Sequence, residues 1–363
     1  MNTETPRVFI AATRQNDGKT TVSLGLLAAL QRTYPRVGFI KPVGQRFVRI
    51  DQHAIDEDTV LMDHVYQLNC PLIEMSPIAV EPDFTRKYLQ SSNYDTLVRR
   101  ILKAFDRVAW EKEFVLCEGS GHAGVGSVFD LSNARVAKLL NAKVVIVTQG
   151  GIGKPIDEVA LNHALFEKEG VEVIGVIVNK VMADKLDYIT EFARKGLKRK
   201  GIELLGVIPH QAILSRPTMG LIREELNAEL LNDDGQLLNH VDDVLLGAMS
   251  VQNAMSQLRS GVLLIASGDR ADLVLAAMTT LFEQNDGMAG IVLTGKLRPS
   301  PNVLKVIERM PFPVLLASQD IYKVASKVHD LIVKTRPNET DKISLIRDMV
   351  SKCVDVNRIL KLL

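Results

Sequence analysis

Residues 8–12, Val-Phe-Ile-Ala-Ala, form an unbroken apolar run. The polar stretch Thr13-Arg14-Gln15-Asn16-Asp17-Gly18-Lys19-Thr20-Thr21 follows, and then a second apolar run over 22–30. This pattern predicts a buried strand, a turn and a helix that opens on Gly18-Lys19-Thr20. Free backbone N–H groups converge at such a helix start, where the helix dipole also favours negative charge, so the turn is suited to phosphate. Gly18 lets the backbone approach the phosphates, Lys19 can reach the β- and γ-phosphates, and the Thr20 hydroxyl can ligate Mg2+. Asn16, Asp17 and Thr21 complete the expected cradle. A strict P-loop has glycine at position 13, where this chain has Thr13. The assignment therefore rests on the strand before the turn and the helix after it.

Further short apolar runs alternate with helix-length segments: residues 36–43, 114–117, 141–148, 173–178 and 204–208. That alternation predicts an α/β fold, a parallel sheet covered by helices on both faces. Ligands of such sheets gather at the carboxyl ends of the strands. Several polar residues stand at those ends. Lys41 can hold a transferred phosphoryl group or an anionic substrate. Glu118, before Gly119-Ser120-Gly121, occupies the second magnesium-side position of P-loop enzymes. Asn179 carries the donor and acceptor that reading a purine edge requires, and Pro209 closes the last strand. The acidic segment around Asp56 and Asp58 opens a helix, and either carboxylate could complete a magnesium shell. His122 has no visible partner and reads as structural or exposed. Residues 71–92 read as a long surface connection before a helix over 94–107.

Net charge is +1 with no basic block, which gives no reason to expect a nucleic-acid partner. No apolar run approaches membrane-spanning length, and the first residues lack the apolar core of a signal peptide. Cys70, Cys117 and Cys353 lie far apart without metal-ligand spacing, as reduced thiols of a cytoplasmic protein would. The length suits two domains. The expected division is a nucleotide-binding domain over 1–225 and a linker over 226–240, with a turn at Asn232-Asp233-Asp234-Gly235. A smaller α/β domain with C-terminal helices would then occupy 241–363. In the latter, Gly268-Asp269-Arg270 and Thr294-Gly295 follow strands, with no catalytic constellation beside them.

Taken together, Gly18-Lys19-Thr20-Thr21, Lys41-Pro42-Val43, Glu118-Gly119-Ser120-Gly121, Val178-Asn179-Lys180 and Leu205-Gly206-Val207-Ile208-Pro209 resemble the ordered motifs of the dethiobiotin synthetase-like P-loop family. The second half resembles the DRTGG domain through Gly247-Ala248-Met249-Ser250, Gly268-Asp269-Arg270 and Ile291-Val292-Leu293-Thr294-Gly295. This order is similar to the N-terminal portion of long bacterial phosphate acetyltransferases, with the acetyltransferase domain itself expected to be absent from the 363 residues. The resemblance implies ATP and Mg2+ as cofactors, with Lys19 and Lys41 as the catalytic pair at the phosphates and the reacting group. By the same resemblance Thr20, Asp58 and Glu118 hold magnesium, with Asp58 favoured over Asp56 by motif register, while Asn179 and the Pro209 loop hold adenine. It further implies a homodimer and a regulatory role calling for a protein partner. Gln15, Asn16 and Gln45 stand where dethiobiotin synthetase has its diamine-binding threonine, glutamate and serine, which argues against dethiobiotin synthesis. The DRTGG signature is itself incomplete, since Ala271-Asp272 follows Asp269-Arg270. The expected function is a nucleotide-responsive regulatory module that hydrolyses ATP slowly if at all, with an ATP-dependent ligase acting on a small carboxylate as the alternative.

Overall fold

A computed structural model describes residues 2–232, 236–283 and 287–363. The chain forms two compact units, Met1–Gln211 with Thr335–Leu363, and Ala212–Lys334.

The first unit is built on six parallel strands: β1 (Arg7–Ala12), β2 (Val37–Ile40), β3 (Phe114–Glu118), β4 (Lys143–Gln149), β5 (Val173–Val181) and β6 (Leu204–Pro209). Their spatial order is β6-β5-β4-β1-β3-β2, which puts β1 in the centre with β3 and β4 beside it. Every residue of β1, β2 and β3 is buried. Successive side chains of a strand point to opposite faces, so both faces of the sheet are covered. The connecting helices are α1 (Lys19–Leu30), α2 (Glu57–Tyr66), α3 (Tyr94–Ala109), α4 (Asn133–Leu139), α5 (Gly153–Lys168) and α6 (Leu186–Lys198). Helix α3 shows why these segments coil: Leu97, Ile101, Ala104, Phe105 and Val108 recur at three- and four-residue spacing and are its buried stripe.

Two local features depart from the sequence reading. Residues 71–92 are not a featureless surface connection. They hold short helices at Leu72–Met75 and Phe84–Gln90 and a strand, Ile78–Ala79, paired in parallel with Val43–Gly44. Met75 and Ile78 are buried, which gives the segment its own anchor in the core. An antiparallel hairpin of Phe47–Ile50 and His53–Asp56, absent from the sequence reading, delivers Asp56 to the start of α2.

The first α-helix of the second unit is α7 (Met219–Leu226). Its sheet comprises β7 (Glu229–Leu230), β8 (Asp243–Leu246), β9 (Val262–Ser267), β10 (Gly290–Thr294) and β11 (Val314–Leu316), in the order β7-β11-β10-β9-β8. Only the β7–β11 pairing is antiparallel. Its helices are α8 (Val251–Met255), α9 (Ala271–Glu283), α10 (Pro301–Ile307) and α11 (Ile321–His329). Leu264, Ile291, Leu293 and Val314 pack in one core cluster, while their neighbours Leu263, Ile265, Val292 and Leu315 pack in another. This alternation again means a sheet covered on both faces. Arg270 donates to the carbonyls of Gly247 (2.8 Å) and Met249 (3.1 Å), so the residual DRTGG arginine ties two strand-end loops together.

The expected domain limits need correction at both ends. Leu226 and Ala228 belong to the core of the second unit, so 226–240 is not a linker, and the expected turn lies from Asp233 to Gly235 outside the described residues. The final helices, α12 (Thr340–Cys353) and α13 (Val356–Leu362), belong to the first unit. Val350 of α12 comes so near Gly25 of α1 that a Cβ there would lie 2.3 Å from it. Asp355 N–H donates to Leu205 O at 2.8 Å beside β6, and Arg347 stacks on the Tyr66 ring at 5.1 Å. No described helix is long and apolar enough to cross a membrane.

Candidate nucleotide-binding site

The site lies at the carboxyl ends of the strands. Thr13 N–H still donates to Val147 O of β4 at 2.9 Å, so the phosphate loop leaves the sheet only after it. The loop turns through Asn16 (φ 67°) and Gly18 (φ 98°), both in the left-handed region. Gly18 is required twice over. Its φ disfavours a side chain, and a Cβ would lie 2.1 Å from Nδ2 of Asn179. Thr13, in the place of the usual glycine, braces the loop. Its hydroxyl donates to Asp17 Oδ2 at 2.7 Å and lies 2.9 Å from the Thr148 hydroxyl, while Arg14 N–H donates to the same carboxylate oxygen at 2.7 Å. Asp17 is thus turned into the loop interior. Burial pushes its pKa up against these hydrogen bonds.

Lys19 is buried and donates to Gly121 O at 3.2 Å. Burial, together with the nearby Lys41 charge, lowers its pKa to about 8 despite Glu118. One residue on, the Thr20 hydroxyl donates to Glu118 Oε1 at 3.1 Å. Thr21 follows on the same first turn of α1.

Lys41, just past β2, stands among three buried carboxylates. It pairs with Asp58, with Asp56 at 3.1 Å and with Glu118 at 3.4 Å. Burial opposes its charge, yet Asp58, Asp56 and Glu118 hold Lys41 well above the ordinary lysine range. Asp56 also caps α2 by accepting from Asp58 N–H at 3.0 Å, which is why both acids reach one lysine. Burial raises the Glu118 pKa, with Asp58 adding to the effect and Lys41 opposing it. Glu118 Oε2 is buried without a hydrogen-bond partner among the described residues. No group of three or more His, Cys, Asp or Glu side chains among the described residues is arranged as a metal cage. An ion shared with nucleotide phosphates needs only one or two protein carboxylates, and an orphaned carboxylate oxygen beside a threonine hydroxyl fits that demand.

The loop after β3 is held on several sides. Ser120 Oγ donates to Val43 O at 2.5 Å. Asn133 accepts from Ser120 N–H and donates to the Ser120 and His122 carbonyls. Asn162 accepts from Ala123 N–H and donates to Thr13 O. His122 is exposed, and its Nδ1 accepts from Gly124 N–H, as a structural histidine would. At the end of β5, Asn179 Nδ2 donates to Asp17 O at 2.9 Å and Lys180 Nζ donates to Asn16 O at 2.8 Å. Pro209 pairs beside Val181 on the same edge. The structure therefore brings Asn16, Asp17, Gly18, Lys19, Thr20, Thr21, Lys41, Asp58, Glu118, Asn179 and Pro209 to one sheet edge, together with Asp56, the alternative to Asp58, and it adds Thr13 and Lys180.

The sequence profile of the AAA domain (AAA_26) matches residues 6–218. The chain belongs to this family. The AAA domain is followed by a DRTGG domain, whose profile matches residues 221–331. Phosphate acetyltransferases are similar over nearly the whole chain. That of Nitratidesulfovibrio vulgaris is 26% identical across 96% of this chain and 50% of the relative, and that of Pseudomonas aeruginosa is 27% identical across 96% and 50%. The chain thus spans about half the length of the curated relatives it matches. Among solved structures, the MinC:MinD cell division protein complex of Aquifex aeolicus is 16% identical, covering 58% of this chain and 83% of that one, with TM-score 0.36. The CBS and DRTGG domains of Clostridium perfringens pyrophosphatase, solved with the activator diadenosine tetraphosphate, are 14% identical over 46% and 78%, with TM-score 0.27.

Asp56 stood in the sequence reading as the alternative to Asp58; its pairing with Lys41 was the part missed, and its place ahead of Glu57-Asp58 was the signal. Lys180 had a weaker one, lying next to Asn179. The roles of Asn133 and Asn162 in holding the loop after Glu118 had none, because the contacts span 11 to 39 residues and depend on how α4 and α5 pack.

Proposed function

We propose that the AAA domain binds Mg-ATP and acts as a nucleotide-responsive regulatory module, with the DRTGG domain serving regulation or assembly. The observation that carries this reading is the convergence of Lys19, Thr20, Lys41, Asp58 and Glu118 at one sheet edge around the phosphate loop. Lys19 and the loop amides would take the phosphates. Thr20 and Glu118, with Asp58 next to them, would hold the magnesium ion, which when bound offsets phosphate charge. Asn179 and the Pro209 loop would hold adenine. A homodimer and a protein partner belong to this proposal as well.

A ligase reading asks Lys41 to face a substrate. In the structure it is enclosed by Asp56, Asp58 and Glu118, which supports the regulatory reading over the ligase. Isothermal titration with ATP and a non-hydrolysable analogue, with and without Mg2+, tests the proposal. Magnesium-dependent binding is expected, and Glu118→Gln should keep nucleotide affinity while reducing its magnesium dependence. Absence of binding at millimolar nucleotide would defeat the reading.

A further inference from the structure

The phosphate loop carries two neighbouring backbone carbonyls, Asn16 O and Asp17 O, and each accepts a hydrogen bond from outside the loop. The donors are themselves neighbours. Lys180 Nζ takes Asn16 O at 2.8 Å and Asn179 Nδ2 takes Asp17 O at 2.9 Å. Residue 180 pays for this arrangement in backbone conformation, since it sits at φ 58° although it is not glycine. Asn16 also lies in the left-handed region, at φ 67°, which asparagine tolerates. The Asn179 amide also packs against the bare Gly18 backbone. A carbonyl drawn toward β5 rotates its peptide plane, so the N–H on the other side of that plane is aimed away from β5. The N–H groups concerned are those of Asp17 and Gly18, at the helix start where phosphate is favoured.

We infer that Lys180 is a positioning residue which, with Asn179, clasps the phosphate loop and sets its N–H groups for phosphate before any base arrives. This rests on the nucleotide reading of the site and deepens it. The Asn179 amide has two N–H donors, one committed to the loop, so the residue offered to the base is also the one that shapes the phosphate cradle. Base and phosphate recognition are thereby coupled through two hydrogen bonds, and part of the selectivity for a nucleotide lies in the loop's shape. The distinguishing consequence is that Lys180 matters even for a ligand without a base.

The test compares ATP with inorganic tripolyphosphate, both with Mg2+, by isothermal titration on the wild-type chain, Lys180→Met and Lys180→Arg. Lys180→Met keeps the aliphatic stem and removes the donor, and Lys180→Arg restores a cationic donor. Parallel weakening of both ligands in Lys180→Met, by about threefold to tenfold for a lost solvent-exposed hydrogen bond, with recovery in Lys180→Arg, supports the clasp. Weakening of ATP alone would make Lys180 a base contact and overturn it, as would unchanged affinity for both. Hydrogen exchange at the amides of 14–18 in the ligand-free protein gives a second readout. It should quicken in Lys180→Met and remain slow in Lys180→Arg, and equal rates in all three proteins would overturn the clasp. Wild-type protein that binds neither ligand would instead overturn the nucleotide reading itself, and the clasp with it.

Discussion

Replacing Lys41 with methionine isolates the electrostatics of the site. The side chain is 7% exposed and its ammonium lies 3.1 Å from Asp56 and 3.4 Å from Glu118, with Asp58 in direct contact. At an effective dielectric near 20, each such contact has a Coulomb energy of about 5 kcal/mol, before the cost of desolvating the partners is set against it. Removing one member of a buried ion pair costs about 3–5 kcal/mol in practice, because the remaining charge stays buried. Lys41→Met should therefore destabilise the first unit by about 3 kcal/mol at pH 7.5. The pH dependence has a definite sign. Glu118 is already raised by burial, and without Lys41 it rises further, so the penalty belongs to its charged form. It is fully present above the folded pKa of Glu118 and fades as the pH falls through it. Wild-type Lys41, held well above the ordinary lysine range, stays charged throughout this window. Urea unfolding followed by fluorescence of Trp110, which lies in the first unit, would be measured at pH 5 and pH 7.5, with and without Mg2+. The expected deficit is smaller at pH 5, and millimolar Mg2+ should recover part of it at pH 7.5. A deficit below about 1 kcal/mol, or one equal at both pH values, would refute the reasoning, since surface ion pairs behave that way.

Lys19 titrates near pH 8 in the ligand-free protein, and bound phosphate favours its charged form. ATP affinity should accordingly be flat below about pH 7.5 and fall by up to about tenfold per unit above pH 8; a flat titration profile to pH 9.5 would remove Lys19 from the phosphates. Gly18→Ala places a Cβ 2.1 Å from the Asn179 amide at a left-handed φ. It should abolish measurable ATP binding and lower stability by about 1–3 kcal/mol, checked by titration and thermal unfolding.

That the candidate site residues share one sheet edge was legible in the sequence for a topological reason. Parallel strands joined by helices all point their carboxyl ends the same way, so Gly18, Lys41, Glu118, Asn179 and Pro209, each at or just after a strand, had to share one edge. Local periodicity also sufficed for α3 and for the buried strands. The opening of α2 was visible in its acidic first turn, although the hairpin that carries Asp56 into it was not.

Sequence alone therefore determined the order of the main strands and helices of the first sheet, the α/β class and the side of the sheet on which chemistry would gather, because these follow from residue patterns only a few positions long. Tertiary structure decided which of those residues meet. It enclosed Lys41 among Asp56, Asp58 and Glu118, turned Asp17 into the loop behind Thr13, and hooked Lys180 onto Asn16 O. It also returned 335–363 to the first unit through Val350 against Gly25 and Asp355 beside β6. Such pairings join positions up to several hundred residues apart. They are selected by the summed packing and charge of the folded chain, which no short window of sequence contains.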